Sequence, residues 1–150
     1  IKGSELTDQL IADAVAMAGY DPEAISVSRE DSGKPVVFVA GDEIHVSCSH
    51  SLDSFACVVA ASNCGVDIQE PKKIKIWDIA RRYFTDEEQE YVGEHGLEGF
   101  YKIWTRREAY AKYTGVGLRQ VMSDVSVLNR DDVTFEDSVL DNGMYCSICY

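Results

Sequence analysis

The sequence predicts an α+β fold, with strands on both sides of a helical middle. Short apolar or alternating runs fill the stretch between residues 25 and 68 and return after residue 125. Between them, apolar side chains recur at helical spacing from residue 76 to residue 113. The chain has 150 residues, 45% of them hydrophobic, and no segment of biased composition divides it. We therefore expect a single domain over residues 1–150.

The first third of the chain predicts one helix and then strands. Apolar residues recur at helical spacing from Leu6 to Ala18, and Gly19 follows as a stop signal. Asp21 and Pro22 then have the pattern of a cap and first position of a short turn. Five runs predict strands, and the last two are expected to be adjacent: residues 25–29, 36–39, 44–49, 54–61 and 64–68.

The middle predicts three helices, and the end of the chain predicts strands again. The first helix covers residues 76–84, and Thr85 with Glu88 forms a capping-box signature for a second, short one. The third covers residues 97–113 and stops near Gly115. Closing strands are expected at residues 125–128, 133–135 and 144–148, with a hairpin turn at residues 141–143.

The charge of the chain is unevenly distributed. The formal net charge of −12 argues against nucleic-acid binding, which needs a basic surface. Residues 72–119 nevertheless hold ten basic and eight acidic residues, a net charge of +2, whereas the rest carries four basic against eighteen acidic residues, a net charge of −14. Such a local basic surface suits an anionic ligand or an acidic partner, although solvated helix faces would look the same.

Neither membrane insertion nor a disulfide framework is indicated. No apolar run approaches the about 20 residues that a membrane-spanning helix needs. The five cysteines are odd in number, and we expect them to be reduced thiols of a cytoplasmic protein. Cys146 and Cys149 have the spacing of a metal or redox pair, but no second pair or nearby histidine completes a zinc set.

Two segments together carry the groups of a metal and phosphate site. In a strand, Asp67 and Gln69 point to one face. On the third helix, Glu108 and Lys112 lie one turn apart on one face. Two carboxylates from different elements, with positions left open for phosphates, are a common way to hold Mg²⁺. The residues alone leave open a strand aspartate and an ordinary helical ion pair.

Four motifs in order resemble a known family. They are Gly33-Lys34-Pro35, Ser47-Cys48-Ser49-His50-Ser51, Gly65-Val66-Asp67-Ile68, and Trp104-x-x-Arg107-Glu108-Ala109-x-x-Lys112. The set closely resembles the Sfp-type 4′-phosphopantetheinyl transferases of the holo-acyl-carrier-protein synthase superfamily. Their motifs are G-K-P, (N/S)-x-S-H-S, G-(I/V)-D-(I/V)-E and W-x-x-K-E-(A/S)-x-x-K. Residues 79–85 also look like the family's A-x-R-(F/Y)-F-(S/T), and the resemblance spans roughly residues 6–128.

The resemblance implies both a fold and an activity. The fold would be two pseudo-symmetric α+β halves with coenzyme A (CoA) between them, here about residues 2–63 and 64–150, with the first half shortened. The activity would be transfer of the 4′-phosphopantetheine arm of CoA to a serine of an apo acyl or peptidyl carrier protein, with release of 3′,5′-ADP. Fatty-acid, polyketide and nonribosomal-peptide carriers all fit this implication.

The resemblance also implies roles for individual residues. Asp67 and Glu108 would bind Mg²⁺, with Mn²⁺ as the alternative, and Glu108 would be the base for the carrier serine. Lys112 would lie against the CoA pyrophosphate as a catalytic positive charge. The family has Glu where this chain has Gln69, so that an amide oxygen or a water would fill the third metal position. The residues expected to contact CoA are Lys34, Ser49, His50 and Lys112.

The implied partner is an acidic carrier protein. It would bind near the basic stretch that begins at Lys72 and ends at Arg82 and near the helix of residues 97–113, on a monomer or dimer, away from membranes. The fatty-acid holo-carrier synthases have their metal-binding Asp near the N-terminus, so Asp67 in mid-chain disfavours them. The alternatives are a catalytically weakened module that binds CoA or the carrier, and an acidic interaction domain without a ligand.

Overall fold

The fold is α+β, as the sequence predicts. The computed structural model describes residues 3–115 and 126–150. The helices are α1 (Gly3–Met17), α2 (Ile76–Tyr83) and α3 (Asp86–Thr114), with a short 3-10 turn at Pro22–Ala24. The strands are β1 (Ile25–Arg29), β2 (Pro35–Val39), β3 (Asp42–Ser51), β4 (Ser54–Ala60), β5 (Gly65–Gln69), β6 (Phe135–Val139) and β7 (Tyr145–Cys149).

The first part of the chain forms an antiparallel sheet in the order β1-β2-β3-β4. Its core joins Ile11 and Val15 of α1 to Val37, Ile44 and Val46 of the strands, all of them buried. Ile11 belongs to the apolar pattern that predicts α1, whereas Ala18 of the same pattern lies beyond the end of the helix and is exposed. The predicted turn after α1 is confirmed, since the carboxylate of the cap residue accepts a hydrogen bond from the backbone two residues on.

The second sheet has three antiparallel strands in the order β5-β7-β6. The predicted hairpin turn is confirmed, because the Leu140 N–H donates to the Met144 carbonyl at 2.8 Å and Gly143 has φ +83°. The predicted strand at residues 133–135 is displaced, since β6 begins at Phe135. Residues 126–128 form no strand, which contradicts the prediction there, and Val125 lies outside the described residues.

The expectation that the runs 54–61 and 64–68 are adjacent strands is wrong. β4 pairs with β3, and β5 pairs with β7 in the other sheet. The free side of β5 instead packs against β3, where three serine hydroxyls accept hydrogen bonds from backbone N–H groups of β5 and of the residue that follows it. These contacts, here called the serine seam, join Ser47 to Val66 (3.0 Å), Ser49 to Ile68 (3.1 Å) and Ser51 to Glu70 (3.3 Å). Serines at every second position of a strand share one face, so they can follow a neighbouring backbone.

The long helix α3 begins where the sequence predicts, but it joins two helices that were predicted as separate. Thr85 caps it through a capping box with Glu88. Gly96, with φ 63° and ψ −138°, interrupts the helical geometry, so the second and third predicted helices are two parts of one bent element. The second part packs so closely on β5 that a Cβ on Gly65 would lie 2.0 Å from the Ala109 carbonyl oxygen. This approach fixes the distance between the two predicted site segments.

The sequence prediction of two pseudo-symmetric halves stays a prediction; the structure has one sheet before residue 63 and another after it. Among the residues described, no helix has an apolar stretch that would match the thickness of a bilayer.

Candidate functional site

Asp67 is the buried centre of the candidate site. Its side chain lies in β5 with 3% of the residue exposed. Ser49 Oγ donates to Asp67 Oδ1 at 3.2 Å, and Gln69 Nε2 donates to Asp67 Oδ2 at 3.1 Å. Lys112 Nζ lies 3.5 Å from Asp67 Oδ1. The structure therefore brings Asp67, Gln69, Ser49 and Lys112 together, although their contacts come from three separate elements.

Lys112 is held in place by the backbone of β5. Its ammonium donates to the Val66 carbonyl at 2.9 Å, so the positive charge is fixed beside the aspartate rather than free in solvent. Lys112 lies in the last turn of α3, where a cation also suits the negative end of the helix dipole.

The two carboxylates act on each other. Burial, followed by the negative charge of Asp67, raises the pKa of Glu108 to about 6, although Lys112 opposes the rise. Burial also raises the pKa of Asp67, against the lowering effects of Lys112, Gln69 and Ser49. The two partly dehydrated carboxylates repel each other, and one lysine balances only part of their charge. A divalent cation bound between them would remove this repulsion. The donors present thus fit Mg²⁺ or Mn²⁺.

The third position of that donor set is occupied by an amide. In the described ranges, no three His, Cys, Asp or Glu side chains are grouped in a way that could hold a metal ion. Gln69 lies beside Asp67, at the position where the resembled motif has a third carboxylate. An amide oxygen or a water is a normal Mg²⁺ ligand, but it adds no negative charge.

An open cleft of about 340 Å³ lies over Asp67 and Lys112. His50 is exposed at its wall and meets Phe55 edge to face, with ring centroids 5.8 Å apart. The cleft residues come from α1, β3, β4, β5 and α3: Thr7, Leu10, Cys48, Ser49, His50, Phe55, Ala56, Asp67 and Lys112. The cleft therefore lies between the first sheet and its helix on one side and the Asp67 site on the other.

Lys34 is the predicted site residue that the structure places elsewhere. It lines a separate pocket of about 330 Å³ that also includes His45 and Tyr113. Its ammonium donates to Asn63 Oδ1 at 2.9 Å and to the Lys112 carbonyl at 2.8 Å. In this position Lys34 ties the end of α3 to the start of the second sheet.

A sequence model of the 4′-phosphopantetheinyl transferase superfamily matches residues 63–149. The chain belongs to this superfamily. The matched segment contains Asp67, Glu108 and Lys112, whereas Lys34, Ser49 and His50 precede it. The part of the site that carries the carboxylates and the lysine is therefore the part that the family model recognises.

Individual phosphopantetheinyl transferases are also similar to this chain. The 4′-phosphopantetheinyl transferase of Bacillus subtilis is 35% identical over 130 residues, which cover 83% of this chain and 57% of the relative. The transferase psf-1 of Bacillus pumilus is 33% identical over 114 residues, covering 73% of this chain and 48% of the relative. The transferase Sfp of Bacillus subtilis (strain 168) is 27% identical over 132 residues, covering 85% of this chain and 58% of the relative. The chain thus spans about half the length of these three transferases.

Sequence reasoning missed a buried ion pair behind the phosphopantetheinyl transferase motif. Arg107 and Glu88 are 1% and 0% exposed, and their side chains are hydrogen-bonded. Glu88 also accepts from the backbone N–H groups of Thr85 (2.9 Å) and Val127 (3.1 Å). Arg107 precedes Glu108 in α3, so the pair holds the helical turn from which the catalytic candidate projects on another face. The capping-box pattern marks Glu88 only as a cap, and no sequence signal joins it to Arg107.

The basic stretch predicted to meet a partner is on the surface. Its five basic residues are all exposed, and Ile74 among them is 41% exposed: Lys72, Lys73, Lys75, Arg81 and Arg82. The stretch is therefore accessible to a partner, and its binding of a carrier protein stays a prediction.

Proposed function

We propose that this chain transfers the 4′-phosphopantetheine arm of CoA to a serine of an apo acyl or peptidyl carrier protein. The observation that carries the proposal is that Asp67 and Lys112 line a cleft and that their charges act on Glu108. All three residues lie inside the segment that the superfamily model matches. In the reaction, the serine oxygen bonds to the phosphorus next to pantetheine, the pyrophosphate P–O bond breaks, and 3′,5′-ADP leaves.

Glu108 suits the role of general base. In the metal-free chain, a carboxylate whose pKa lies at about 6 is ionised at neutral pH and still accepts a proton better than an ordinary glutamate. It would take the proton of the carrier serine as that oxygen attacks. Lys112 supplies a positive charge whose position is fixed by the Val66 carbonyl, so no reorganisation is needed when charge builds up on the phosphates.

A divalent cation completes the proposed site. Asp67 and Glu108 would hold Mg²⁺ or Mn²⁺, and the Gln69 amide oxygen or a water would fill the third ligand position. When bound, the ion would supply Lewis-acid neutralisation of the CoA pyrophosphate.

The cleft is the proposed site for CoA. Ser49 and His50 lie at its wall, and His50 is exposed there. Lys34, which the resemblance adds to this set, would reach a CoA phosphate only by releasing its bonds to Asn63 and to the Lys112 carbonyl. His50, unlike Lys34, would therefore contact a CoA phosphate without first giving up these hydrogen bonds.

The proposed partner is an acidic carrier protein in the cytoplasm. The exposed basic residues from Lys72 to Arg82 would attract it, and the adjoining part of α3 would present Glu108 to its serine. The transferase would act as a monomer or a dimer.

A weakened module that binds CoA or the carrier is a second candidate. The observation that favours it is Gln69, whose amide donates to Asp67 and supplies no charge to a cation.

Intact-mass analysis of an apo-carrier after incubation with the chain, CoA and MgCl₂ tests the proposal. We expect the carrier to gain one phosphopantetheine, Asp67→Ala and Glu108→Ala to abolish the gain, and Gln69→Glu to preserve or raise it. Glu90→Ala, an exposed position on the same helix, is the matched control and should keep full activity. CoA binding by calorimetry without transfer to acyl or peptidyl carriers would contradict the transferase and favour the module.

A further inference from the structure

Two cysteines face each other directly across the β3–β4 hairpin. Cys48 and Cys57 are register partners in the antiparallel pair, and their Sγ atoms lie 3.4 Å apart. A disulfide requires about 2.05 Å between sulfurs and Cα atoms about 5.5 Å apart, a separation that directly opposed strand residues have. The sulfurs can therefore bond with small side-chain movements.

One of the two thiols is open to a small solute. Cys48 lines the cleft over Asp67, and both residues of the pair are half-buried. The other three cysteines, Cys64, Cys146 and Cys149, are buried. A reagent that enters the cleft thus meets Cys48 first.

The surroundings of Cys48 favour its thiolate. The hydrogen bond with Cys57 lowers the pKa of Cys48, and the positive charges of Arg29 and Lys112 add to this effect against burial and Asp8. The same hydrogen bond, with burial, raises the pKa of Cys57. Since the thiolate is the nucleophile, Cys48 is the thiol that reacts and Cys57 the one that follows.

We propose that Cys48 and Cys57 are a peroxide-reactive thiol pair that closes into a reversible disulfide in the wall of the cleft. The Cys48 thiolate sulfur attacks one oxygen of hydrogen peroxide, so that an S–O bond forms as the O–O bond breaks. The departing hydroxide takes a proton from solvent to give one water, and Cys48 is left as a sulfenic acid. Cys57 then attacks the Cys48 sulfur, the S–S bond forms, the S–O bond breaks, and a second water leaves. The two sulfurs lose two electrons and the peroxide gains them. This modification goes beyond the proposed transfer and does not depend on it.

The test is peptide mapping of the full chain by mass spectrometry, without reduction, after exposure to a small molar excess of hydrogen peroxide. We expect a loss of two hydrogen atoms from the intact mass, a cross-linked peptide that joins Cys48 to Cys57, and reversal by dithiothreitol. Cys64→Ser is the matched control and should leave this cross-link unchanged. Full iodoacetamide labelling of both thiols after peroxide, or a cross-link from Cys48 to a different cysteine, would overturn the proposal.

A second variant separates the two steps. In Cys57→Ser the sulfenic acid has no thiol to meet, so dimedone should label Cys48 strongly, whereas in wild type the disulfide should suppress that labelling. Equal dimedone labelling in both proteins would contradict the role of Cys57. If the variant does not fold by circular dichroism, the loss of iodoacetamide labelling at both thiols of wild type, in parallel over time, gives the same decision.

Discussion

Ser49→Ala is the substitution that most directly tests how the buried aspartate is held. Ser49 Oγ accepts the Ile68 N–H at 3.1 Å and donates to Asp67 Oδ1 at 3.2 Å. Alanine removes both contacts and leaves the Ile68 N–H without its acceptor in a strand residue that is 1% exposed. It also takes away a hydrogen bond that lowers the pKa of Asp67.

Ser47→Ala is the matched control that isolates the aspartate contribution. Ser47 Oγ accepts the Val66 N–H at 3.0 Å in the same seam, and Val66 is as buried as Ile68. Among the described residues, Ser47 makes no hydrogen bond to a carboxylate. An unsatisfied buried donor costs about 1–3 kcal/mol, so each variant should lose about 2 kcal/mol of unfolding free energy. Because hydrogen bonds to charged groups are stronger, Ser49→Ala should lose about 1 kcal/mol more than Ser47→Ala while Asp67 is ionised.

The difference between the two variants should depend on pH. Ser49 stabilises the ionised form of Asp67, so wild type gains over Ser49→Ala as pH rises through the native pKa of Asp67 and loses that gain as pH falls below it. Urea unfolding followed by the fluorescence of Trp77 and Trp104 at several pH values measures this. Equal losses in both variants at every pH would refute the bond to Asp67. No loss in either would refute the seam as a source of stability.

The remaining predictions concern stability and use the same unfolding assay. Glu108→Gln should stabilise the chain above pH 6 by about 1 kcal/mol, and this gain should vanish below pH 4.5. A pKa raised from 4.5 to about 6 corresponds to about 2 kcal/mol before the discount for solvent screening. An absent gain at pH 8 would contradict the raised pKa. Gly65→Ala should cost at least about 3 kcal/mol of unfolding free energy, because the new Cβ would overlap a carbonyl oxygen 2.0 Å away. Gly93→Ala should be neutral or gain up to about 1 kcal/mol, because its nearest neighbour lies at 3.8 Å. Similar effects at both glycines would argue against the close approach. Arg107→Met should cost about 3–5 kcal/mol of unfolding free energy, because Glu88 would keep a buried charge without its partner. Adding Glu88→Gln should recover part of this loss. A double variant no more stable than the single one would count against the unpaired charge as the cause.

Local signals in the sequence predict most elements of the fold. The capping box at Thr85, the break before residue 97 and the turn at residues 141–143 each depend on neighbouring residues alone. The pairing of the strands is different, because alternation identifies a strand but not its partner. Gly65 opposes Cys149 across more than half of the chain, and the serine seam replaces the β4–β5 pair that sequence order suggests.

The candidate site follows the same division. The helical spacing of Glu108 and Lys112 and the position of Asp67 in a strand bring the charged groups together as predicted. The supporting contacts were not predictable, because they depend on register and on the bend of α3. The bond from Ser49 to Asp67 was not foreseen, and the expected contact of Ser49 with CoA stays a prediction. The Arg107–Glu88 pair joins two positions on either side of that bend.

Gln69 changes the charge balance of the site more than its shape. With a carboxylate there, the site would hold three negative groups against Lys112, and each would raise the pKa of the others. The amide instead donates to Asp67 Oδ2 and lowers the pKa of Asp67, so the metal-free chain keeps its aspartate ionised more readily. The same amide offers a cation one negative charge fewer. A gain of transfer in Gln69→Glu would therefore mean that cation binding limits the reaction, whereas unchanged transfer would mean that Asp67 and Glu108 already hold the cation well enough.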